Sequence, residues 1–322
     1  MAHFNNRVFG CVIVKSINSN YNADFSHQPR TLPNGVVYAT DKALKYAIKN
    51  YIKNVHNVKV LYFKTMKSDF VPMSLDEAYT NAFPTGEKTK ADVARNLLGC
   101  LDIKLFGATF AKKGKSKDEN VALSIHGPVQ VNHGVNIWKE NNIFSEQIMS
   151  PFRNPKDKKD ESGESEDKEA TTLGRQSKLQ EGHYLHHFSV NPKNLSEVIK
   201  LAGDESLTLQ DENIAILKDS LRNGVTYYDS ASKAGTDNEF LLWVKLNENS
   251  KTVLPNFTQL VGLDKDAAGK VVIDLEKVKS VIGNNLDQIE AVEIYYLSES
   301  VNIVNAPTDK TKCFDLTSGK AI

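Results

Sequence analysis

The chain has 322 residues, 40% of them hydrophobic and 25% charged, a composition that suits a soluble globular protein of about two domains. Forty basic and 40 acidic side chains balance, which argues against a protein that coats nucleic acid over its whole surface but leaves room for one basic groove. There is no apolar run of about 18 residues, so no membrane span is expected. Cys11, Cys100 and Cys313 are too far apart for zinc spacing, and such sparse cysteines suit a reducing compartment. The cytoplasm is the expected location.

The N-terminus lacks the pattern of a signal peptide. Residues 7–17, RVFGCVIVKSI, are apolar and β-branched and predict a buried strand. A loop rich in Asn, Ser and Pro follows, with Pro33-Asn34-Gly35 as a turn. Thr40 is placed to cap a helix over TDKALKYAIKNYIKN. Leu44, Ala47, Ile48, Tyr51 and Ile52 form its apolar stripe, and Lys42, Lys45, Lys49 and Lys53 share part of the opposite surface. Residues 57–64 predict a second strand; 74–83 and 88–104 predict helices.

The segment 121–131, VALSIHGPVQV, starts as an alternating strand and then meets Gly127-Pro128 and a series of neutral polar residues that includes Gln130 and Asn132. Residues 154–170 contain no large apolar side chain, so they are expected to be a mobile excursion. Strands are expected at 182–191, 238–247, 253–263 and 290–297, and helices at 208–223 and near 274–283. The order strand, helix, strand, a middle section, strand, helix, strand fits a split β-α-β unit of the ferredoxin-like or RNA-recognition-motif type. The tail after residue 298 carries no clear pattern.

Several chemistries are disfavoured. Six residues separate Gly107 from Gly114, where a phosphate loop needs four, so Gly114-Lys115-Ser116 reads better as a turn. His183, His186 and His187 alternate on a strand and are better read as partly buried histidines than as a metal site. No GxSxG or HExxH motif occurs. Cys11 and Cys100 sit in apolar segments as inert thiols. Asp24, the only acid in the loop after the first strand, could support metal-dependent or acid/base RNA cleavage, but a solvated loop acid is the better reading. The basic helix fits phosphate contact, and the amides of Asn18, Asn20, Gln130 and Asn132, with His27 and Arg30, fit binding that reads no base.

Four stretches in order carry a family resemblance. They are the Asn-rich loop ending in Gln28-Pro29-Arg30; TDKALKYAIKNYI at 40–52; DIKLFGATF at 102–110 leading to GPVQV at 127–131; and TTLGRQSKLQEGHYLHHFSVN at 171–191. The chain resembles the Cas-seven family, the repeated backbone subunit of Cascade-type CRISPR complexes, and looks closest to type I-B members.

The resemblance implies a hand-shaped α+β protein with a modified RNA-recognition-motif palm and finger and thumb insertions. Residues 1–138 would hold the first part of the palm with the finger, 139–182 the thumb, and 183–322 the rest of the palm. It also implies a non-enzymatic scaffold without a cofactor. Its partners would be a CRISPR guide RNA, target DNA through the guide, further copies of itself and other Cascade subunits. Lys42, Lys45 and Lys49 would face phosphates from the helix and Arg30 from the loop. Gly127 would let backbone amides approach a phosphate, with Gln130 and Asn132 as neutral donors. Arg153, Arg175 and Lys178 would reach from the thumb, with Met149 and Phe152 as apolar wedges. The loop after the first strand lacks the family's Pro-Asn-Gly-Asp run, and VNHGVNIW stands where many relatives carry a serine and an arginine. The six acids within 160–169 are expected to project away from RNA.

Overall fold

The computed structural model describes residues 2–84, 89–112, 120–149 and 173–322. The first strand, β1 (Val8–Ser19), lies at the centre of a nine-stranded sheet. Every residue from Val8 to Val14 is buried, because both sheet faces are covered and each requires an apolar side chain. The two-residue β2 (Tyr38–Ala39) leads into α1 (Asp41–Asn54), which buries Leu44, Ala47, Ile48 and Ile52 as their spacing demands.

Beyond α1 the chain builds a separate small unit. It contains α2 (Leu75–Ala82), α3 (Lys90–Leu98), α4 (Leu101–Phe106) and the hairpin β3 (Gly107–Lys112) with β4 (Val121–His126). Its core gathers Tyr79, Leu97, Leu98, Ile103 and Phe110. Ser74 and Thr89 close capping boxes at the starts of α2 and α3, each satisfying two end amides. The helix expected over 88–104 is broken at Cys100, whose backbone is extended (φ −93°, ψ 123°).

The main sheet resumes with β5 (Val129–Val131), β6 (Gly134–Asn136) and β7 (Ile143–Met149), all of which pair with the long β8 (Leu173–Val190). After α5 (Ser196–Ala202) come α6 (Asp211–Tyr227) and β9 (Thr236–Leu246). The strands run β9-β1-β8-β6, each antiparallel to its neighbour. Helices α1 and α6 pack on the same core. The opposite face is covered by β10 (Gly262–Lys265), β11 (Val271–Asp274) and α7 (Glu276–Gly283).

The remaining strands are β12 (Ile289–Tyr296), β13 (Val301–Val304) and β14 (Thr311–Asp315). The tail with no clear sequence pattern thus supplies two strands. β14 is the sheet edge, and Ala321 bridges back to Phe314, covering an edge that would otherwise offer free backbone groups.

Three further expectations are corrected. Residues 57–64 are not a strand: the Asp102 carboxylate accepts the amides of Leu61 and Tyr62 at 3.0 and 2.8 Å, in place of ladder partners. Residues 253–263 form a single 3-10 turn at Phe257–Gln259 before β10. The segment 121–131 is split between two sheets at Gly127-Pro128, with β4 paired to β3 and β5 to β8.

Candidate nucleic-acid interface

Helix α1 presents its lysines unequally. Lys42 is exposed. Lys45 pairs with Asp41 at 2.9 Å and lies over the Phe106 ring. Such an i,i+4 surface pair stabilises by only about 0.5 kcal/mol, so a phosphate can compete for it. Lys53 lies over the Phe63 ring. Lys49 turns inward: its ammonium is 3.6 Å from the fully buried Asp102 and donates to the Tyr62 carbonyl at 3.2 Å. Burial pulls its pKa below the usual lysine value despite the opposing charge of Asp102. Lys49, expected to face a phosphate, holds an internal ion pair in this structure.

The strand-end residues make contacts within the protein. Gly127 is buried, and a Cβ there would lie 2.2 Å from the Gly107 nitrogen. Its missing side chain serves a crossing of two protein backbones. Gln130 donates to the Gly127 carbonyl at 2.8 Å. Asn132 accepts the His187 amide at 2.7 Å and donates to Thr258 at 3.2 Å, tying β8 to the 3-10 turn. These amides are spent on the fold.

Arg30 and the ribbon of β7 with the first half of β8 keep more freedom. The Arg30 Nε is buried without a hydrogen-bond partner among the described residues. Arg175 is exposed on β8. Lys178 pairs across the ribbon with Glu146 at 3.0 Å. Met149 ends β7; its side chain, Phe152 and Arg153 lie outside the described residues, as does the acidic segment.

Asp24 uses Oδ1 to accept the amides of Ser26 and Gln28 at 2.8 and 2.9 Å, so that oxygen holds its own turn. Among the described residues no group of three or more His, Cys, Asp or Glu is placed for a metal ion, and no helix is long and apolar enough to cross a membrane.

The histidines divide by their surroundings. His186 receives Tyr21 at 3.3 Å and donates to the Asn132 carbonyl at 3.0 Å. His187 accepts the Phe257 amide at 3.3 Å. Burial lowers both to about 4. His183 instead lies 2.5 Å from Glu239 and 3.1 Å from Glu181. Burial disfavours its charge, but the two carboxylates outweigh burial and raise its pKa. Glu239 falls where the pairing of β1 with β9 shifts register between Ile13 and Val14, and this bulge aims it at His183. Glu181 lies only two residues from His183 in the sequence, and that spacing was a signal of the pair.

Two other residues were not legible. Lys233 packs over the Tyr21 ring and donates to the Tyr21 carbonyl; burial lowers its pKa to about 8. Phe25 stands at the tip of the loop after β1, 99% exposed. Nothing in the pattern of either residue marks it.

The family model of CRISPR-associated protein Cas7 matches residues 6–282. Among solved structures, a chain of a pre-nicking CRISPR RNA-guided surveillance complex aligns over 96% of both chains, with a TM-score of 0.54 and 12% identity. A chain of another CRISPR RNA-guided surveillance complex aligns over the same shares, with a TM-score of 0.47 and 11% identity. No curated protein matches the sequence.

Proposed function

The chain belongs to the CRISPR-associated protein Cas7 family, and on that footing we propose that it is a non-enzymatic scaffold that binds the backbone of a CRISPR guide RNA. Copies stack along one guide within a Cascade complex of type I-B character, and the guide's bases stay open to target DNA. The observation that carries this reading is the family match over residues 6–282. Delegating sequence recognition to base pairing leaves the protein to hold a backbone, for which cations suffice.

The strand order β9-β1-β8-β6, with α1 and α6 on one face, supports a palm of RNA-recognition-motif type. The unit around Leu97 and Phe110 is the finger, and the β7–β8 ribbon is the root of the thumb. Lys42, Lys45, Arg30, Arg175 and Lys178 are the proposed phosphate ligands among the described residues. Lys49, Gly127, Gln130 and Asn132 hold the surface that carries them. Cleavage through Asp24 is not supported; its Oδ1 holds the turn of its own loop.

The test is the salt dependence of RNA release from the assembled complex. Removing one cation that neutralises a phosphate lowers the log–log slope by roughly 0.7 for a single strand. Lys42→Ala and Arg175→Ala should each lower it, and Lys49→Ala should not. Equal slopes in all variants would remove these residues from the interface.

A further inference from the structure

Phe25 occupies the tip of a short hairpin closed by the Ala23–Pro29 bridge. The Asp24 amide donates to the Gln28 carbonyl at 2.8 Å, and the His27 amide returns to the Asp24 carbonyl at 3.2 Å. The Asp24 carboxylate takes two more amides of the same turn. His27 adopts φ +62°, a conformation tolerated in a tight turn by few residues other than glycine. From below, the buried Asn20 donates to the His27 carbonyl at 3.3 Å and to the Ser177 carbonyl of β8 at 3.1 Å. The hairpin is therefore stitched to the ribbon, and the ring is held outward by a fixed backbone.

An aromatic ring left wholly in water forgoes a burial energy that a partner can recover. The surroundings identify the partner. The exposed residues next to Phe25 in the hairpin, Ser26 and His27, are polar. Phe70, 83% exposed, offers a contrast, because Met66 and Val71 lie exposed around it; that is the composition of a protein contact. Basic side chains belong to the segments that meet the Phe25 hairpin. The exposed Arg175 is two residues from Ser177 on the same face of β8. Arg30 leaves the hairpin with its Nε unpartnered among the described residues, and Lys233 binds the Tyr21 carbonyl at its root. The Asn20 Oδ1 is also buried without a partner among the described residues. A rigid, exposed aromatic on a hairpin flanked by basic segments suits a nucleobase, which offers a π-face beside a charged backbone.

We propose that Phe25 is a nucleobase-stacking platform that holds one base of the bound RNA at the root of the β7–β8 ribbon. This rests on the guide-RNA reading and adds to it a contact outside the helix and the thumb. Stacking accepts any base, which a scaffold for variable guides requires.

The test uses the complex assembled with guide RNA and partner subunits, with p-benzoylphenylalanine placed at position 25 and irradiated. Crosslinking to RNA is expected. Phe25→Ala and Phe25→Leu should each weaken RNA retention by about tenfold, the scale of a single base–aromatic stack, and Phe25→Trp should restore it. The exposed position keeps all three folded. Crosslinking to protein alone, or a Phe25→Leu variant as good as the parent, would overturn the proposal and assign Phe25 to a neighbouring subunit. If the complex retains RNA but position 25 does not crosslink to it, the platform alone fails. If the assembled complex carries no RNA, both readings fail.

Discussion

The ammonium of Lys49 lies 3.6 Å from the carboxylate of Asp102, and the pair joins the middle of α1 to the first turn of α4. Asp102 is fully buried and also accepts the amides of Leu61 and Tyr62. Through it the small helical unit is fixed to α1. One lysine of the basic helix thus belongs to the fold, whereas Lys42 faces solvent.

The two lysines should respond differently to substitution. Lys49→Met leaves Asp102 without its cation and should destabilise the protein by about 2–4 kcal/mol, because a buried charge loses its partner. Lys42→Glu should change stability by no more than about 0.5 kcal/mol while weakening RNA retention. Denaturant unfolding of the two variants measures the contrast. Equal stabilities would show that the Lys49 pair is not structural.

Gly107 and Gly127 cross backbone to backbone. A Cβ on Gly107 would meet the Ile125 carbonyl oxygen at 2.2 Å and the Gly127 nitrogen at 2.5 Å, and Gly107 holds φ +73°. Gly127→Ala should cost about 2–4 kcal/mol whether or not RNA is bound, since the obstruction is main chain and cannot move aside. A Gly127→Ala protein with unchanged melting temperature but no bound RNA would instead assign the glycine to phosphate binding.

Acid should loosen the β8 region. His186 and His187 have folded pKa values of about 4, against an ordinary 6.5. Between those values the unfolded chain binds more protons than the folded chain, so stability falls as pH drops from 6.5 toward 4, by a few kcal/mol for the two residues together. Protonation removes the acceptors used by Tyr21 and by the Phe257 amide. Melting curves at pH 7 and pH 4.5 should show the loss, and His186→Gln should flatten it. A pH-independent melting temperature would contradict the buried neutral imidazoles.

His183 has the opposite sign. Its raised pKa makes the bond to Glu239 stabilising below pH 6.5, and the contribution fades as pH rises through the folded value. Glu239→Gln should therefore cost most at mildly acidic pH, by about 1–3 kcal/mol. A cost that grows as pH rises would show that His183 is neutral.

Elements set by a strong local apolar pattern were legible in the sequence. The run RVFGCVIVKSI gave β1, and the stripe Leu44–Ile48–Ile52 gave α1. Elements set by distant partners were not. Residues 57–64 have the composition of a strand, yet a buried carboxylate 40 residues away takes their amides. The first half of β8, LGRQSKLQE, is polar because it belongs to a ribbon with little core to face, so only its second half declared itself. The candidate interface divided in the same way. The type and spacing of the lysines on α1 were visible, but which of them turns inward depends on Asp102, and the exposure of Phe25 depends on a turn that no periodicity encodes.

The most direct measurement is to purify the protein from cells that co-express its partner subunits and a CRISPR array, and to sequence the RNA that accompanies it. The Lys42→Glu/Arg175→Glu variant is treated in parallel. The predicted result is RNA of uniform length with repeat-derived ends in the parent, much reduced in the variant. An assembled complex without RNA, or RNA of random sequence held equally by both proteins, would contradict the account.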